Sequence, residues 1–175
     1  SHQGRWCYGK TPQETFLELA IWYSRLGLWR DSLQVLDLAP AHPEVSYWKA
    51  YLRDKLNEPG VDTALKQAQR LSPRFVFPFR PETAIVLKWT LGRDEGWQPR
   101  YYLALIEWNC GNDNAAWELL TSCGRKPDFA PFYAWRALFA KQIKGVLAPL
   151  DDAIQAAEQD DSDWRSINLL VEIYS

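Results

Sequence analysis

The chain has 175 residues, a formal net charge of -2, a pI near 5.7, 47% hydrophobic residues and 10 Trp. Enough apolar side chain is present for a real core, which excludes a disordered chain. Lys and Arg are scattered among Asp and Glu, so no basic stripe marks a nucleic-acid surface. No apolar run reaches the roughly 20 residues that span a bilayer.

In chain order, residues 1–10 carry no periodic pattern; Trp6 and Tyr8 either dock on the first helix or hang free. Thr11-Pro12-Gln13-Glu14 is a helix start, with Thr11 able to cap, Pro12 suited to the first helical position and Glu14 able to close a capping box. The helix to about Leu26 is apolar nearly all round, the pattern of a helix buried on most sides. Gly27 ends it, and Trp29 to Leu38 forms its partner.

A second hairpin opens at Pro43-Glu44, breaks at Asn57 to Gly60 and returns from Val61 to Leu71. The segment Ser72 to Pro81 is rich in proline and phenylalanine and cannot be helical through its middle. Pro81 to about Leu91 reads as one further helix, followed by a loop from Gly92 to Gln98. Tyr101 to Pro127 is then a clear helix–turn–helix: apolar residues recur at helical spacing to Cys110, stop at Gly111-Asn112-Asp113 and resume through Ala116, Trp117, Leu119 and Leu120. A fourth hairpin runs from Asp128 through Gly145 to about Gln159, and Ser162 caps a last unpaired helix. The count is about ten helices and no strand.

The chain contains no Met, which points to a piece of a longer protein. Cys7, Cys110 and Cys123 do not form a disulfide framework. Cys110 and Cys123 end successive antiparallel helices and so lie on the order of 15 Å apart, far beyond bridging distance; buried small-residue packing is the expected role.

Self-similarity sets the architecture. Gly111 and Gly145 are 34 residues apart, and the first hairpin carries Phe16, Leu19, Ala20, Tyr23, Gly27, Trp29, Leu36 and Ala39 in the order of the tetratricopeptide signature, with Ser32 in place of the usual Ala. The hairpin around Gly111 is similar through Leu103, Ala104, Gly111, Ala116 and Leu120, with Glu107 and Cys123 as departures. The chain therefore resembles the tetratricopeptide family. The resemblance implies an all-α fold, a right-handed α-solenoid of antiparallel hairpins. Pro78-Phe79 and Pro131-Phe132 are similar entries 53 residues apart, one repeat plus about one helix, so the helix near 81–93 is the expected insertion, with a break in the superhelix between Leu71 and Tyr101. The division is 1–10 irregular, 11–72 hairpins one and two, 73–97 linker and extra helix, and 98–175 hairpins three and four with the terminal helix. FVFPFRPET, YYLALIEWNCG and CGRKPDFAPFY further resemble the repeat region of large bacterial proteins with domain of unknown function 5107, which implies a neighbouring β-rich domain.

Chemistry-bearing residues are sparse. His2, Cys7 and His42 lack metal-ligand spacing, and no phosphate loop or nucleophile elbow is present, so neither metal nor cofactor nor catalysis is expected. Asp151-Asp152 reads as helix-start compensation. The tetratricopeptide resemblance places Tyr101, Leu105, Trp108 and Asn109, then Phe132, Trp135, Phe139 and Gln142, on the groove-lining face. It places Lys49, Arg53 and Asn57 there in the second hairpin, and Glu14, Leu17, Ile21, Ser24 and Arg25 in the first. Leu17 and Ile21 stand where carboxylate-clamping members carry Lys and Asn, which argues against a clamp. The expected function is a non-catalytic protein-interaction or interdomain-docking scaffold, its candidate contacts Tyr101, Leu105, Trp108, Asn109, Trp135, Phe139, Lys49 and Arg53. The competing readings are that these rings pack between repeats, or that exposed Trp and Tyr recognise carbohydrate. The expected partner is a protein, a peptide or a neighbouring domain. No residue signals a compartment; a soluble, cytoplasmic one is favoured.

Overall fold

The computed structural model describes residues 12–144 and 150–160. Among them every regular element is a helix: α1 (Pro12–Arg25), α2 (Trp29–Asp37), α3 (Pro43–Lys55), α4 (Val61–Arg70), α5 (Pro81–Leu91), α6 (Gln98–Asn109), α7 (Asp113–Ser122), α8 (Ala130–Lys144) and α9 (Leu150–Gln159). Segment 1–10, Cys7, the turn at Gly145 and the helix expected from Ser162 lie outside the described residues. No described helix is long and apolar enough to cross a membrane.

Proline sets several starts. Pro43, Pro81 and Pro99 occupy the first turns of α3, α5 and α6, where a missing N–H leaves no helical bond unmade. The ends repeat one device. Gly27, Asn57 and Gly111 take φ of 76, 53 and 78°. After each, the next N–H donates to the carbonyl five residues back: Leu28 to Tyr23 at 3.0 Å, Glu58 to Arg53 at 2.8 Å and Asn112 to Glu107 at 2.9 Å. This left-handed closure satisfies carbonyls that a helix end would otherwise orphan. Asn57 does in the second hairpin what glycine does in the first and third. Three hairpins thus share one turn chemistry, a stronger mark of repetition than the spacing of any glycine pair.

The chain divides into two compact units, Ser1–Ser72 and Pro73–Ser175. In the first, α1 packs on α2, α2 on α3 and α3 on α4. Leu17, Ala20, Leu36, Tyr47, Leu52 and Ala68 are among its buried side chains. Ser32 is fully buried, and its hydroxyl donates to the Ala20 carbonyl at 2.7 Å. A hydroxyl is tolerated at this close crossing because the carbonyl beside it accepts. Helix α1 corrects the sequence expectation. Its Leu17, Ala20 and Ile21 are buried, but Leu19 and Trp22, with Leu26 just beyond its end, are exposed, so it has one open apolar face rather than burial on most sides.

In the second unit α5 packs on α6, α6 on α7, α7 on α8 and α8 on α9. An aromatic cluster forms the centre: Trp97 lies 6.0 Å from Tyr101, 6.3 Å from Phe129 and 5.8 Å from Phe132, ring centre to ring centre. Trp97, in the loop before α6, anchors that helix from outside it. Ala137 and Ala153 are fully buried together where α8 and α9 meet. Between 75 and 79 burial alternates: Val76 and Pro78 are buried, while Phe75, Phe77 and Phe79 are exposed. Phe75 sits in a turn with a left-handed φ of 61°, and from Val76 to Phe79 the chain is held by every second residue.

Candidate functional site

The second unit carries an apolar groove of about 540 Å³, lined by Phe77, Pro78, Phe79, Leu105, Trp108, Asn109 and Trp135. One wall comes from the extended segment, whose period-two alternation turns Phe77 and Phe79 outward, 58% and 52% exposed. The other comes from α6 and α8. Leu105, Trp108 and Asn109 sit within one helical turn of α6, and Trp135 stands on α8 at 38% exposure.

The helix wall is braced from behind. Trp108 meets Trp135 edge-on at 5.8 Å and Phe139 edge-on at 4.9 Å, while Phe139 stacks on Trp117 of α7 at 6.2 Å. Edge-to-face contacts of this kind fix ring orientation as well as burying area. At the segment wall, the Arg80 guanidinium lies 4.4 Å over the Phe79 ring.

The position of Trp135 depends on its neighbour. Arg136 is 8% exposed, and its guanidinium donates twice to the Asp152 carboxylate of α9, Nε to Oδ2 and Nη2 to Oδ1, each at 2.7 Å. Its Nη1 donates to the carbonyls of Leu120 at 3.2 Å and Gly124 at 2.7 Å, at the end of α7. One side chain therefore ties α7, α8 and α9. The sequence offered Asp152 only as helix-start compensation; the fork geometry makes it the partner of a buried arginine. That pairing crosses 16 residues, and no local pattern signals it.

The sequence-predicted residues separate into three groups. Leu105, Trp108, Asn109 and Trp135 are brought together in the groove. Tyr101 and Phe139 are not presented: they are 2% and 1% exposed, and this corrects their assignment to a contact surface. Tyr101 is held in the Trp97–Phe132 cluster, where burial pushes its hydroxyl well above the ordinary range. Phe139 supports Trp108 from behind, and Phe132 is fully buried.

Lys49 and Arg53 belong to the other unit. Both face Asp37, at 3.1 and 3.9 Å, and Arg53 also donates to the Pro59 carbonyl at 3.1 Å. A carboxylate on α2 and the α3–α4 turn engage them within that unit, and neither lines the Phe77–Trp135 groove. Phe77, Pro78 and Phe79 were missed. Alternation across a proline was their signal, but five residues without a partner strand gave no face to assign.

The departures from the repeat signature have local causes. The Glu107 carboxylate takes Lys88 at 2.8 Å and the Asn112 amide at 2.8 Å. The Lys88 bond first, then Asn112, holds it below the ordinary carboxylate range. Cys123 is buried, its thiol 3.6 Å from the Trp97 carbonyl and pushed by burial up to about 11. Cys110 is exposed, which corrects the expectation that both are packing residues.

His42 sits at the start of α3, its pKa lowered by burial against a smaller opposing pull from Glu14. No group of three or more His, Cys, Asp or Glu able to hold a metal occurs among the described residues.

No family model matches the chain, and no curated protein matches it. Among solved structures, a thermophilic TPR protein of Thermus thermophilus is similar at a TM-score of 0.41 and 16% identity, over 93% of this chain and 98% of that one. At that score and identity the likeness carries no argument about function.

Proposed function

We propose that the chain is a non-catalytic protein-interaction module that receives an apolar, extended segment of a protein or neighbouring domain in the Phe77–Trp135 groove. One observation carries this reading: Phe77, Phe79 and Trp135 are exposed together around a common groove whose helix wall is braced by buried rings. Exposed aromatic area that is held rigid loses little entropy on binding and anchors interfaces. An extended peptide fits better than a folded surface, since the groove runs beside a chain segment that is itself extended. Docking against a β-rich neighbour, as the narrower bacterial resemblance implies, is one form of the same use.

Carbohydrate recognition receives less support. A sugar ring needs open aromatic faces flanked by carboxylates or amides, and here Asn109 is the polar residue among aromatic, proline and leucine neighbours.

The test is selection of a random displayed-peptide library on the folded protein, with counter-selection on the triple variant Phe77→Ser, Phe79→Ser, Trp135→Ser. Enriched peptides are expected to share aromatic or aliphatic anchors and to bind the triple variant at least about tenfold more weakly, since hot-spot truncations cost roughly 2 kcal/mol or more. Peptides that bind both proteins alike, or no enrichment at all, defeat the proposal.

A further inference from the structure

The groove wall formed by residues 76–79 offers main chain as well as rings. Where side chains alternate between two faces, the N–H and C=O of every second residue share one edge. The edge of Val76 and Pro78 is closed: the Val76 N–H donates to the Pro73 carbonyl at 3.3 Å, and Pro78 has no N–H. The edge of Phe77 and Phe79 is open. Among the described residues neither of these two makes a hydrogen bond, by N–H or by C=O, and both are exposed. The row is also held in shape without a partner strand. Phe77 and Arg80 each precede a proline, which keeps them in the extended region; Arg80 has φ of -84° and ψ of 134°.

We propose that this edge receives the partner's main chain: the segment bound in the groove adds an antiparallel strand to Phe77–Phe79. The inference rests on the groove reading above and names how the groove recognises its occupant. Donors and acceptors alternating along one edge, repeating at about 7 Å for every second residue, are complementary in partial charge to another extended main chain. Antiparallel pairing meets all four groups with only two partner residues, spaced two apart, each exchanging an N–H and a C=O. Side chains of such paired residues stand on the same face as Phe77 and Phe79. Apolar side chains there enter the groove toward Leu105, Trp108 and Trp135. The partner residue between them lies opposite Pro78, whose missing N–H would point to the other edge and is not needed. Proline is excluded from the two paired positions of the partner, because each must donate. Residues 75–79 carry no charge that would deter a strand from pairing. Main-chain bonds then supply affinity, and the alternate apolar positions supply selectivity.

The most enriched peptides from the library selection above, labelled with fluorescein, are the probes, and fluorescence anisotropy with the whole chain is the readout. Each peptide is N-methylated at one residue at a time, which removes one main-chain donor and leaves every side chain in place. Binding is expected to weaken about tenfold or more at two positions spaced two apart, the ones that carry the apolar anchors. At the residue between them the change should stay within about threefold, since its N–H faces away from the edge. Peptides that bind the groove, as judged by their loss on the triple variant, yet tolerate N-methylation at every position overturn the strand pairing and leave the groove reading standing. No enriched peptide at all overturns both. Dimerisation of the chain that the peptides reverse would assign the edge to a second copy, and that result also overturns the proposal.

Discussion

Replacing Arg136 with Met is the most informative perturbation of the second unit, because it keeps the apolar stem and removes only the guanidinium. The loss can be built from the contacts. Asp152 is left without its bidentate partner, and its side chain is 17% exposed, so water compensates it only in part. The Leu120 and Gly124 carbonyls lose their donor, at 3.2 and 2.7 Å. The contacts of the guanidinium with the Phe132 and Tyr133 rings, at 4.9 and 5.3 Å, go as well. Breaking a fully buried ion pair from one side costs about 3–5 kcal/mol. Partial hydration of Asp152 places this site at the lower end, about 2–4 kcal/mol.

Urea unfolding followed by tryptophan fluorescence reads the change, and a cycle with Asp152→Leu separates the pair from the rest. The double variant should recover part of the loss, with a coupling of about 1–3 kcal/mol, because the stranded charge is then gone. Groove binding should weaken in Arg136→Met even below the unfolding transition, since Trp135 is the adjacent residue. A loss in Arg136→Met below about 0.5 kcal/mol, the size of an ordinary surface substitution, would refute the argument that this side chain ties three helices.

Further outcomes follow from single sites. Glu107 is held below its ordinary value in the folded chain, so its contribution is complete above the unfolded value and is lost as pH falls through the folded one; Glu107→Gln should flatten the acid side of the stability profile, measured as urea midpoints from neutral to acid pH. Cys110 should react with a maleimide within minutes at mild alkaline pH while Cys123 reacts only on unfolding, read by peptide mass, because one is exposed and the other is buried with its thiol raised to about 11. Gly111→Ala meets no atom within 4 Å, so its cost is the positive φ alone, about 1–2 kcal/mol in a thermal melt. Asn57→Gly, at the matching closure of the second hairpin, should be neutral or stabilising by up to about 1 kcal/mol, since glycine adopts its φ of 53° without strain.

The helices, their order and the pairing of neighbours were legible in the amino-acid sequence. These depend on local chemistry: proline in first turns, left-handed residues at ends, and small residues such as Ala20, Ala68 and Ala116 where helices cross closely. Which aromatic rings are open was not legible there. Helix α6 buries Tyr101, Tyr102, Leu103, Ala104 and Ile106, which together cover most of its circumference, so its periodicity singles out no face. Tyr101 is covered because Trp97 and Phe132 come from opposite ends of a 36-residue stretch, and Trp135 is left open at its rim by the same arrangement. Arg136 and Asp152 were likewise ordinary residues until α8 and α9 met. Burial of a ring or pairing of a charge depends on what arrives from elsewhere in the chain, and that is settled when the helices pack.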